Sequence, residues 1–138
     1  MYDRLRRATL ASFVMLIIQF GIGMAVNLYV KVPKSDHGAG IGHALTAGPY
    51  GITVHIVVGL LLILSAIGLV VQSVMARHRL MMVTSIIALV AILGAAGTGS
   101  AFVSDSQAGA SLGMAVLSLV ALFCYGLDLF VLGSPAAA

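Results

Sequence analysis

The sequence has very little charge, a single cysteine, and neither glutamate nor tryptophan. Charged residues make up 8% of its 138 residues and hydrophobic residues 61%, whereas soluble domains have about 25% charged and about 45–50% apolar residues. So few charged side chains cannot cover a water-soluble core of this size, and we expect lipid to replace the polar shell. The lone Cys124 excludes a disulfide scaffold, a cysteine-based zinc site and a CxxC redox centre.

Four continuous apolar runs predict four transmembrane helices, because about 20 apolar residues in helical form cross a hydrocarbon core. The runs cover about 10–30, 52–74, 81–103 and 112–133, with a connecting loop at 31–51. They do not alternate as barrel strands would. The predicted fold is all-α, an integral membrane antiparallel four-helix bundle that forms a single transmembrane domain over residues 1–138.

The basic residues lie at the ends of these runs and predict an orientation. Five of them, Arg4, Arg6, Arg7, Arg77 and Arg79, flank one side of the predicted membrane, and Lys31 and Lys34 flank the other. The positive-inside rule then places both termini in the cytoplasm and the 31–51 loop outside, in a multi-pass protein of the plasma membrane. So sparse a distribution argues against a nucleic-acid partner.

Small and polar residues fall on one face of each predicted helix, and leucine, isoleucine and valine occupy the rest. Because small and polar side chains gather at helix contacts in membranes, we expect this face to point inward, whereas the large aliphatic residues suit contact with lipid and with each other equally. The predicted packing or interior residues are Gln19, Asn27, Gly59, Gly97 and Asp128. We accordingly expect Gly59→Leu or Ala95→Leu to weaken the bundle more than Leu62→Ala.

His55 is the strongest candidate for chemistry, since a polar ring inside a membrane needs a partner or a metal. It could hydrogen-bond to loop carbonyls or to Asn27, bind a heme or metal, or handle protons. Met114 lies at a similar depth of the fourth span, so the two could ligate a heme iron as a His/Met pair. Methionine is, however, common packing material.

Two further sets of side chains are candidates. His37, His43 and Asp36 in the 31–51 loop could hold Cu, Zn or Ni, although their spacing matches no standard ligand motif. Asp128 is the carboxylate within a predicted span, where it could pair with Arg77, Arg79 or the N-terminal arginines, or belong to a proton relay. A relay to Gln19 and His55 is not evident, because the residues between them on the polar face are small and not ionisable.

A longer pattern resembles a known family. The run Asn27-Leu28-Tyr29-Val30 is followed by Pro33, His37, Gly48-Pro49, His55 and Gly59, and later by Gly97-x-Gly99-Ser100-x-Phe102 and Met114-Ala115. This pattern resembles an uncharacterised family of small four-transmembrane-helix membrane proteins of Gram-positive and related bacteria. The resemblance covers nearly the whole chain and implies the same four-helix fold, without an activity. Gly38 follows His37 here, where the family has a proline.

A weaker likeness is to one four-helix half of heme A synthase and to cytochrome b561-type bundles, which hold heme through histidines near one membrane face. It rests on His55, which opens the second helix. Met114 stands where the fourth helix of heme A synthase carries histidine. This likeness implies heme b as a candidate cofactor, and it is an analogy of fold.

Together these patterns favour a non-catalytic accessory or binding module whose outer loop faces a ligand or partner. Its expected partners are the lipid bilayer and a membrane protein or second copy of the chain. The alternative is a heme b or metal-binding membrane redox protein with His55 as principal ligand. No phosphate-binding glycine loop or HExxH motif indicates nucleotide or metalloprotease chemistry.

Overall fold

The computed structural model describes residues 2–29, 42, 49–105 and 108–133, apart from the side chains of Tyr2 and of 102–108. Within these residues the chain forms four α-helices, which are α1 (Tyr2–Tyr29), α2 (Tyr50–Met75), α3 (Arg79–Asp105) and α4 (Ala108–Gly133). All four are long and apolar enough to cross a membrane. At about 1.5 Å per residue, such helices exceed a hydrocarbon core of about 30 Å. The predicted all-α four-helix fold is confirmed.

The helices form a ring in which each one packs against two neighbours. The contacts join α1 to α2, α2 to α3, α3 to α4 and α4 back to α1. The helices α1 and α2 are antiparallel, because Ser12 contacts Ser65 and the later Gln19 contacts the earlier His55. The helices α3 and α4 are antiparallel too, with Thr84 against Asp128 and Thr98 against Gly113. We call the end of the bundle where α1 and α3 begin the terminal end, and the opposite end, where α2 and α4 begin, the loop end.

A short turn joins α2, which ends at Met75, to α3, which begins at Arg79. The Ala76 amide donates to the Gln72 carbonyl and the Arg77 amide donates to the Val74 carbonyl. Arg77 has a φ of 53°, the left-handed conformation that commonly ends a helix and that glycine adopts most easily. An arginine here places a positive charge at the carboxyl end of α2, where the helix dipole favours cations.

The buried core follows the predicted inward faces. Ser12, Ala66, Ser73, Thr84, Ala88, Ala91, Tyr125 and Asp128 are all buried, while aliphatic residues such as Leu64 and Val90 are about two-thirds exposed. Some large aliphatic residues also belong to the core, since Leu16, Leu62 and Leu69 are each 2% exposed. Small residues alone leave voids between helices, and large side chains beside them must fill this space.

The core is unevenly distributed along the bundle. Among the described side chains, Ile52 is the only buried one that lies closer to the loop end of its helix than to the middle of that helix. Every other buried side chain lies at the middle or towards the terminal end. In the loop-end half the inward-facing Gln19, His55, Thr98 and Met114 are only partly buried. The tight packing therefore stops about halfway along the helices.

Candidate functional site at the loop end of the bundle

His55 and Gln19 meet between α2 and α1 in the loop-end half. The Gln19 side-chain amide, Nε2, donates to the His55 backbone carbonyl at 2.9 Å and lies 3.4 Å from the ring nitrogen Nε2 of His55. The predicted partners of His55 were loop carbonyls or Asn27. The structure gives it Gln19 instead, and Asn27 is exposed on α1 and outside the interior where it was expected.

Two glycines allow this close approach of α1 and α2. A Cβ atom added at Gly23 would lie 3.0 Å from the His55 ring carbon Cε1, and one added at Gly59 would lie 3.0 Å from Gln19 Nε2. Each glycine therefore leaves room for the polar side chain on the facing helix. This agrees with the predicted packing role of Gly59.

The His55 and Gln19 side chains each retain an unused polar atom. Within the described part of the chain, His55 Nδ1 and Gln19 Oε1 are buried and have no hydrogen-bond partner. A buried polar atom without a partner costs about 1–3 kcal/mol. These two atoms therefore have unused hydrogen-bonding capacity, the amide oxygen as an acceptor and the ring nitrogen as a donor or acceptor.

Met114 makes its contact elsewhere. Its sulfur lies 3.2 Å from the position of a Cβ added at Gly99 on α3, whereas the His55 ring packs on α1. The two proposed heme ligands thus face different neighbouring helices.

Gly97 does not pack against another helix as expected. It is exposed, and a Cβ added there would meet nothing within 4 Å. The close α3–α4 contacts are made by Gly94 with Leu117 and by Gly113 with Thr98. Gly97 therefore lies on the outer side of α3.

Metal ligation has little support in the described residues. No group of three histidine, cysteine, aspartate or glutamate side chains there could hold a metal ion. The predicted ligands His37, His43 and Asp36 lie outside the described residues, so their metal site stays a prediction.

Asp128 lies on the inner face, as predicted, near the terminal end. Its Oδ1 accepts a hydrogen bond of 2.5 Å from the Thr84 hydroxyl, so its partner is a neutral group on α3 and not one of the arginines considered from the sequence. Thr84 is the fifth residue after the start of α3 and Asp128 the fifth before the end of α4. This equal depth in an antiparallel pair is the signal that could have identified Thr84 as the partner.

Comparison of the chain with protein families, with curated proteins and with solved structures finds no match. The four apolar helices are compatible with a small polytopic membrane protein.

Proposed function

We propose that this chain is a small non-catalytic accessory or binding module of the plasma membrane. In this proposal both termini are cytoplasmic, and the 31–51 loop and the loop end of the bundle face outward to receive a ligand or a partner protein. We also propose that the chain belongs to the family of small four-helix bacterial membrane proteins that its NLYV and GP…H pattern resembles.

One observation carries this proposal, namely that the tightly packed core ends halfway and leaves a partly buried polar pair at the loop end. Gln19 and His55 lie there with one unused buried polar atom each. In contrast, Ser73 and Ser85 near the terminal end satisfy each other at 3.1 Å. The loop end therefore has unused capacity to bind a polar group, while the Ser73–Ser85 pair serves packing.

The test is to isolate the protein from its native membrane in mild detergent and to identify stoichiometric bound components by native mass spectrometry. We expect a bound component that Gln19→Ala and His55→Ala both release and that Ser73→Ala retains. The Ser73 variant is a matched control, because it also removes one interhelical hydrogen bond. Absence of any bound component, or equal release by all three variants, would contradict the proposal.

The alternative function is a heme b or metal-binding redox protein, which the partnerless Nδ1 of His55 specifically favours. In the tautomer with its proton on Nε2, the His55 ring has a lone pair at Nδ1 that is a suitable iron or metal ligand. Met114 fits a second ligand poorly, because it packs on α3.

Heme-supplemented expression distinguishes the two functions. The redox function requires a Soret absorbance band that His55→Ala abolishes, with the effect of Met114→Leu showing whether the sulfur is a ligand. A colourless protein with a bound component would support the accessory function instead.

A further inference from the structure

Asp128 is a buried carboxyl group that contacts a hydroxyl group. It is 1% exposed, and the Thr84 hydroxyl on α3 is its hydrogen-bond partner. A carboxyl group inside a membrane protein is costly and usually has a function. The function proposed above makes no use of this group.

The Thr84 hydroxyl can serve more than one acceptor. Its Oγ1 lies 2.5 Å from Asp128 Oδ1, 3.0 Å from the Leu80 carbonyl oxygen and 3.1 Å from the Met81 carbonyl oxygen. A hydroxyl has one hydrogen to donate and also accepts hydrogen bonds. Thr84 must therefore choose between the carboxyl group on α4 and a carbonyl of its own helix.

This choice matches the two protonation states of Asp128. When the carboxylate is ionised, Thr84 donates its hydrogen to Oδ1. When the carboxyl carries a proton, the carboxyl donates to Thr84 Oγ1, and the Thr84 hydrogen turns to the Leu80 or Met81 carbonyl. Both arrangements keep α3 and α4 hydrogen-bonded through the same two side chains, and neither requires a backbone shift.

Tyr125 supplies a second, independent observation. It is fully buried one helical turn before Asp128 on α4, and its hydroxyl has no hydrogen-bond partner among the described residues. Phenylalanine would fill the same space without the cost of about 1–3 kcal/mol for an unpaired polar atom. The hydroxyl thus offers a further hydrogen-bonding group on the face of α4 that carries the carboxyl.

We propose that Asp128 and Thr84 form a proton-binding site in the terminal half of the bundle. One proton adds to the Asp128 carboxylate to give the neutral acid, and release reverses this step without any redox change. Among the described side chains, the titratable or charged groups at this end of the bundle are Cys124 and Tyr125 on α4, His78 and Arg77 in the α2–α3 turn, Arg79 on α3, and Asp3, Arg4, Arg6 and Arg7 on α1.

The test is an infrared titration of carboxyl groups in purified protein in lipid nanodiscs. We expect a titrating carboxyl band that Asp128→Asn removes and that Asp3→Asn, at an exposed position, leaves unchanged. Thr84→Val should raise the midpoint of that band by about one pH unit, because the lost hydrogen bond stabilises the ionised carboxylate more than the neutral acid.

Thr98→Val is the matched control for Thr84→Val. Thr98 lies on the same helix and donates to the carbonyls of Gly94 and Ala95 in the same manner, and its hydrogen-bond acceptors include no carboxylate. We expect this variant to leave the midpoint unchanged, and Thr84→Ser, which keeps the hydroxyl, to stay close to the wild type. The proposal is overturned if Asp128→Asn removes no titrating band, or if the Thr84 and Thr98 variants shift the midpoint equally.

Discussion

At the scale of single residues, the role of a glycine depends on which side of the helix it occupies. Gly23 and Gly21 are two positions apart on α1, yet a Cβ at Gly23 would press on the His55 ring and one at Gly21 would meet nothing within 4 Å. Their sequence neighbourhoods are almost the same. Only the facing helix distinguishes them.

We therefore expect Gly23→Leu to destabilise the bundle by about 1–3 kcal/mol, the usual cost of overpacking. Gly21→Leu should be neutral or stabilising by up to about 1 kcal/mol, because glycine is a poor helix former. Thermal unfolding of the purified variants in detergent measures both. Equal melting temperatures would contradict the assignment of the α1 face.

Arg77 is a second residue whose backbone conformation makes a prediction. Its positive φ costs about 1–2 kcal/mol for a residue with a Cβ. Arg77→Gly should therefore raise the free energy of unfolding by about 1 kcal/mol, measured by thermal unfolding of the purified protein. Arg77→Ala is the control, since it removes the same charge and keeps the Cβ; a gain as large as that of glycine would point to charge and not to conformation.

The sequence predicts which residues point into the bundle, but not which residues they contact there. The interior positions of Gln19, Gly59 and Asp128 were predictable, because a 3.6-residue period identifies one face of a helix. The partners were not, because periodicity does not say which two helices meet. The same limit explains Leu62, since a leucine at the edge of the inner face packs inward or faces lipid depending on the neighbouring helix.

At the scale of helices, few polar contacts between described side chains connect neighbouring helices. The serine pairs at different interfaces share no residue. Ser73 and Ser85 connect α2 with α3, and Ser12 and Ser65 connect α1 with α2 at 2.6 Å. A hydrogen bond between membrane helices contributes about 0.6 kcal/mol on average. Each contact thus aligns two helices more than it stabilises the whole fold.

A double-mutant cycle with Ser73→Ala and Ser85→Ala tests this view. We expect a coupling energy of about 0.6 kcal/mol in unfolding experiments, because each single variant breaks the same bond. The cycle of Ser12→Ala with Ser85→Ala, whose partners differ, should be additive. Coupling of equal size in both cycles would mean that the interfaces are not independent.

The extent of the helices was predicted well in the apolar parts and less well at the ends. The predicted 52–74 agrees with α2, Tyr50–Met75, to within two residues. In contrast, α1 begins at Tyr2, well before the predicted 10, because its charged first turns continue the helix beyond the apolar run. Asp3 in the first turn suits the positive end of the helix dipole.

At the scale of the whole molecule, the orientation in the membrane is open to direct measurement. In a Cys124→Ser background, we introduce Ser35→Cys in the 31–51 loop and Ser134→Cys after α4. A membrane-impermeant maleimide should label the first in intact cells and the second only after permeabilisation, because most basic residues lie on the side of the termini. The reverse pattern would contradict the proposed topology.

The ring of contacts has a consequence for the connectivity of the chain. Because α4 packs against α1 as well as α3, the start of the first helix and the end of the last are adjacent at one end, about 8–10 Å apart between axes. A short peptide could join them, and the polypeptide could then be opened between α1 and α2. Such a circular permutant would keep all four interfaces, so the order in which the helices are synthesised is separable from the way in which they pack.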